Sequence, residues 1–191
     1  MTDSFNTWER FLDPNALRER LVSVSLYITA FELLKDSICG RIESFYTIGF
    51  DPSGPSLDDK YKSEVTSRNT SKLYASLEWL IENEVIDRSD LIIFDGLKAV
   101  RNQLAHELQH YVFGDKDIDL TCNFQQLAIL LDKLEKWWIY NVEIPTNPDF
   151  DGEDISLDDI LPGPTMLLQV IIEVASGNRE LLDTYRAMSK G

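Results

Sequence analysis

Histidine is the scarcest informative residue in this 191-residue chain: there are two, His106 and His110. Cysteine is equally rare, with Cys39 and Cys122 far apart and in no paired motif. That count excludes a disulfide-built secreted scaffold and fits a reducing compartment. Each cysteine stands among apolar neighbours at helix-like spacing, so both read as small core residues. Positive charge is also short: 18 Lys and Arg face 33 Asp and Glu, a formal net charge of -15. A surface this acidic repels phosphate backbones and anionic membranes, so any nucleic-acid contact needs a local basic site. No apolar run is long enough to cross a bilayer. Residues Met1 to Asn6 lack the basic flank and apolar core of a signal peptide. The expectation is a cytoplasmic protein without membrane contact, in which the Asn69-Thr70-Ser71 acceptor triplet has no meaning.

What is plentiful is apolar residue at helical spacing. The 43% hydrophobic content supplies a real core. Val24, Tyr27, Phe31, Leu34, Ile38, Ile42 and Phe45 recur every three or four residues, predicting one long helix over residues 16–50 with Asp13-Pro14 at its start. The run from Gly49 to Leu57 carries turn residues. A second helix is expected over about 61–83, with Leu73, Leu77, Leu80 and Ile81 inward. Ser89 is the expected N-cap of a third, whose stripe is Leu91, Phe94, Leu97, Val100, Leu104, Leu108 and Tyr111 and whose end is Gly114-Asp115-Lys116-Asp117. A fourth, over about 121–142, turns Phe124, Leu127, Leu131, Leu134 and Trp138 inward. No segment reads as a convincing strand. The fold class expected is all-α: an up-and-down four-helix bundle over residues 1–144.

Beyond the bundle, residues 145–164 hold four prolines and the carboxylates of Asp149, Asp151, Glu153, Asp154, Asp158 and Asp159. This reads as an extended acidic strap. It lacks the spacing of a calcium loop, and its charge suggests a mimic of nucleic acid able to cover a basic cleft. Residues 165–191 read as a C-terminal helical hairpin, packed on the bundle or on a second subunit. Trp137 and Trp138 are adjacent, so one of them is expected to face that hairpin or a partner rather than the core.

Chemistry concentrates in Arg101-Asn102-Gln103-Leu104-Ala105-His106-Glu107-Leu108-Gln109-His110. Lys98, Asn102 and His106 form an i, i+4 row, and Arg101 lies about 140° around the helix from His106. An arginine can neutralise charge developing on a phosphoryl group, and a histidine can move a proton near neutral pH. With the ribose 2′-hydroxyl as nucleophile, the two suffice for RNA cleavage without a metal. The same residues allow other readings. His106-Glu107-Leu108-Gln109-His110 matches the H-E-x-x-H zinc pattern, with Glu107 as base and Glu135 as third ligand. Arg101 paired to Glu32 inside a bundle would instead be purely structural.

Arg101 to His106 resembles the Arg-polar-x-x-x-His signature of the HEPN superfamily. Phe31-Glu32-Leu33-Leu34-Lys35-Asp36-Ser37-Ile38 is similar to its first helix, and Ser76-Leu77-Glu78-Trp79-Leu80 followed by Val85-Ile86-Asp87 keeps its order. The resemblance covers roughly residues 16–142. It implies a four-helix bundle, a homodimer with a composite cleft, an RNA substrate cut to a 2′,3′-cyclic phosphate and a 5′-hydroxyl, and no cofactor. It implies Arg101 as transition-state stabiliser, His106 as proton carrier and Asn102 as phosphate-orienting residue, with Glu32 and Lys98 in support. The setting it implies is toxin–antitoxin or phage defence, with an antitoxin or other regulatory protein as partner. Leu108 stands where one toxin subgroup has a tyrosine, so that subgroup's antitoxin is not expected. A non-catalytic scaffold binding protein or nucleotide is the alternative within the same family.

Overall fold

The computed structural model describes residues 12–52, 54–112 and 119–188, with the side chains of Val112 and Ala187 excepted. Met1 to Asn6, Ser53 and the expected helix end at Gly114 to Asp117 lie outside the described residues. Of the described residues 76% are helical, in keeping with the all-α class.

Helix α1, Pro14–Phe45, forms the axis of the molecule. Asp13 caps it by accepting from the Asn15 N–H at 2.9 Å, and Pro14 occupies the first turn, where its missing N–H costs nothing. Its stripe is buried as the periodicity requires from Val24 to Ile42, with Tyr27, Leu34, Ile38 and Ile42 wholly covered, but Phe45 in the last turn is half-exposed. The helix stops at Phe45 rather than residue 50, because Thr47–Asp51 (β1) and Gly54–Leu57 (β2) pair as an antiparallel hairpin. A strand had not been expected among these turn residues. The ladder registers Phe50 with Pro55 and Asp51 with Gly54, and Gly54 adopts φ 134°, which favours glycine.

The expected second helix is divided. A π-helical segment, Tyr61–Thr66, precedes α2, Lys72–Glu82. Asn69 breaks the path between them: its Oδ1 accepts from the Ser71 N–H at 3.1 Å, turning the backbone out of the helix. The end of α2 is a Schellman turn, with Val85 N–H donating to Leu80 O and Glu84 N–H to Ile81 O. Glu84 takes φ 58° there, the left-handed position usually given to glycine.

Helix α3, Arg88–His106, is capped by Asp87 and not by Ser89. The Asp87 carboxylate accepts from the N–H groups of Ser89 at 2.7 Å and Asp90 at 3.0 Å, while Asp90 returns a carboxylate to the Asp87 N–H at 2.9 Å. This reciprocal box satisfies three backbone donors, one more than a serine cap alone could take with its single oxygen. Helices α1 and α3 pack together, the Phe31 and Phe94 rings stacking at 5.7 Å and the Tyr27 hydroxyl donating to Leu97 O at 3.1 Å. Burial pushes the Tyr27 hydroxyl pKa up to about 12.

After α3 the backbone breaks at Glu107, and a short helix α4, Leu108–Val112, follows. The break removes Leu108 from the expected stripe and leaves it 41% exposed, whereas Tyr111 is buried. Helix α5, Thr121–Trp138, continues through a π-helical segment, Ile139–Glu143, and a last turn to Thr146. It buries Leu127, Leu131, Leu134 and Trp138 against α1, α2 and α3. Cys39 is half-buried and its thiol pKa is raised by that burial, but Cys122 is exposed in the first turn of α5, so it is no core residue.

The acidic strap is chain without long helix, broken by 3-10 turns at Pro148–Phe150 and Leu157–Asp159. Helix α6, Gly163–Ala175, packs on α5 and α1 through Leu168 and Ile172. Helix α7, Glu180–Met188, follows the turn at Gly177, and all its described side chains are exposed. The hairpin therefore splits, with α6 part of the bundle and α7 outside it. No helix among the described residues is long and apolar enough to cross a membrane.

Candidate functional site

Arg101 leaves α3 on the side that meets α1, and its Nη2 donates to Glu32 Oε1 at 2.8 Å. Lys35, one turn beyond Glu32 on α1, donates to the other carboxylate oxygen, also at 2.8 Å. Glu32 thus holds one cation on each oxygen. The hydrogen bond from Lys35, followed by that from Arg101, keeps its carboxyl below the ordinary carboxylate range, against a desolvation that acts in the opposite sense. The pairing expected of Glu32 and Arg101 is present.

The guanidinium is not saturated. Nη1 reaches Asn102 Oδ1 only at 3.5 Å, and Nε is buried without an acceptor. A third of the Arg101 side chain remains open to solvent. The Glu32 contact orients the fork, and the exposed third of the side chain is the part an oxyanion could reach.

His106 is the last residue of α3 and is exposed, and no hydrogen bond or ion pair ties its ring to a described residue. It stands at the helix end with Asn102 one turn behind it. Lys98, expected in the same row, is turned elsewhere: its Nζ donates to the Tyr74 hydroxyl at 3.1 Å and lies 4.4 Å from that ring's centre. Tyr74 in turn donates to Asp95 at 2.7 Å, so the Lys98 charge serves the contact between α2 and α3.

The zinc reading loses its geometry. Two histidines at i, i+4 converge only on a continuous helix, and the break at Glu107 puts His106 and His110 on separate helices. Glu135, proposed as the third ligand, is 1% exposed and held by Ser37 Oγ at 2.6 Å and by Arg41 Nε at 3.2 Å. Among the described residues, no three His, Cys, Asp or Glu side chains gather as a metal-binding group.

The strap does not cover the arginine. Its carboxylates are exposed, and none pairs with a described cation. The adjacent tryptophans also behave differently from expectation. Trp138 stacks on Trp79 at 5.8 Å, and Trp137 meets both rings edge-on at 5.0 and 6.4 Å. Adjacent residues point about 100° apart on a helix, yet a ring as long as indole folds back over its neighbour. Sequence periodicity placed each tryptophan on its face but carried no signal of this shared cluster.

No family model, no curated protein and no solved structure matches the chain.

Proposed function

We propose that this chain is a HEPN-type, metal-independent endoribonuclease, active as a homodimer, with α1, α2, α3 and α5 as its four-helix bundle. The observation that carries the reading is Arg101: a permanent cation oriented by Glu32 and one-third open to solvent. Asn102 lies beside it and an exposed His106 stands further along the same helix.

In this chemistry the ribose 2′-oxygen attacks the adjacent phosphorus, and the bond to the departing 5′-oxygen breaks. One proton leaves the 2′-hydroxyl and one reaches the 5′-oxygen, giving a 2′,3′-cyclic phosphate and a 5′-hydroxyl. His106 is the proton carrier, and Arg101 neutralises the charge that grows on the phosphoryl oxygens. One protomer brings a single His106 on this helix, whereas the reaction needs a base and an acid. A second copy supplies the other imidazole, which is why the reading requires a dimer. The biological setting it suits is a toxin–antitoxin or phage-defence system, with a regulatory protein as partner.

A second reading is a non-catalytic scaffold. It is favoured by the net charge of -15 and by the exposed apolar side chains of α7, Leu181, Leu182, Tyr185 and Met188. The deciding experiment incubates the full chain with RNA in excess EDTA, beside Arg101→Ala and His106→Ala. Cleavage that survives chelation, leaves cyclic-phosphate ends and drops at least about 100-fold in both variants is expected, the loss general acid–base catalysis commonly supplies. Undiminished cleavage in either variant sinks the assignment. No cleavage, with stable capture of a protein partner, gives the scaffold.

A further inference from the structure

A second concave site lies at the end of the bundle formed by Phe45, the π-helical segments and the C-terminal turn of α2. No residue of α3 lines it, so it is separate from Arg101. Its volume is about 560 Å³, within the range of small-molecule sites. Phe45, Tyr46, Trp79, Trp137 and Trp138 form its walls. These five rings contact one another at centroid distances from 5.0 to 6.4 Å, so the walls support each other without filling the space.

The charged lining is uneven. Glu64 and Glu82 bring two carboxylates, and Arg68 brings one guanidinium. Arg68 is already taken by an ion pair with Glu82 and a hydrogen bond to the Glu64 carbonyl. Glu64 is oriented by the Tyr46 hydroxyl, which donates to it at 2.5 Å, and Tyr46 accepts from Trp79 Nε1 at 3.2 Å. The carboxylate is therefore tied through a tyrosine to a ring of the wall. Aromatic faces carry negative potential, and indole is the strongest of them toward cations. Rings and excess carboxylate act in the same direction, and they disfavour an anionic or a simply apolar occupant.

We propose that this pocket binds a small organic cation of the alkylated ammonium class, its methyl groups against Phe45 and Trp137, the wall rings with open surface, and its charge balanced by Glu64, the carboxylate not paired with Arg68. The site is independent of the ribonuclease reading and survives its failure.

Calorimetric titration of the full chain with choline chloride, at matched ionic strength, tests it. The comparison ligand is 3,3-dimethylbutan-1-ol, which has the same shape without the charge. Choline is expected to saturate the site and to bind at least about tenfold tighter than its neutral isostere. Glu82→Gln, which leaves the Arg68 cation unbalanced, and Phe45→Leu, at a half-exposed wall position, should each weaken choline binding at least about fivefold with the urea midpoint of unfolding little changed. Absence of saturable choline binding overturns the proposal. So does equal binding of the isostere, or choline affinity unmoved in both variants.

Discussion

Removing Arg41 should destabilise the protein more than removing the carboxylate it serves. Glu135 lies in the interface between α1 and α5 with 1% exposure. Its oxygens accept from Ser37 Oγ at 2.6 Å, from Arg41 Nε at 3.2 and 3.3 Å, and from Arg41 Nη2. Arg41 continues outward to Glu143 at 2.6 Å and is 31% exposed. The hydrogen bond to Glu135 raises the Arg41 pKa above its ordinary value, against the effect of its own burial. In Arg41→Met the carboxylate stays buried with Ser37 alone. Breaking a buried pair in this way costs about 3–5 kcal/mol, and the solvent access of Arg41 places this case near the lower end, about 3 kcal/mol. In Glu135→Gln the Ser37 contact survives and Arg41 keeps Glu143, so the loss should be about 1–2 kcal/mol. The double variant Arg41→Met/Glu135→Leu exchanges an ion pair for apolar packing and should recover most of the loss. Urea unfolding of the four proteins, followed by circular dichroism, measures these differences. An Arg41→Met cost below about 1 kcal/mol would refute the reasoning, and so would a double variant less stable than Arg41→Met.

Two further outcomes concern helix ends. Glu84 occupies the left-handed position that Gly177 fills, at φ 86°, in the equivalent turn after α6. Glu84→Gly should therefore stabilise the protein by about 0.5–1 kcal/mol, the relief of the Cβ clash exceeding the added entropy of glycine; thermal unfolding gives the sign, and a lower midpoint contradicts the account. At the start of α3, hydrogen bonds from the Ser89 hydroxyl and from the Asp90 and Ser89 N–H groups depress the Asp87 carboxyl pKa below its ordinary 3.8. Its contribution is present above that value and lost as pH falls through the lower folded-state pKa. Asp87→Asn keeps a capping oxygen without a titration, so wild type should lose stability more steeply than the variant between pH 5 and 2, and parallel profiles would exclude a role for this carboxylate.

The helical core was legible because one repeating stripe does one thing: it must face other apolar surface. Tyr27, Leu34, Leu97, Leu104, Leu127 and Leu131 all occupy the core that their spacing predicts. The misplacements arose where local hydrogen bonds compete with that stripe. Asp87 outbids Ser89 for the helix start, Asn69 divides the second helix, and the break at Glu107 exposes Leu108. The hairpin was missed because its strands are short and pair mainly with each other, and because burial alternates against residue type: the outward face carries Ile48 and Phe50, whereas Thr47 and Gly49 lie inward.

The sequence by itself determined the helical class, most members of the core and the one helix on which arginine and histidine stand together, since spacing and residue type are local properties. Only the tertiary structure decided how those side chains are used. Arg101 meets Glu32 across 69 residues, Glu135 meets Ser37 across 98, and Lys98 turns to Tyr74. Each carboxylate or cation had several partners of suitable charge in the chain. The packing angle of helices built from distant segments selects among them, and no periodicity within a segment encodes that angle.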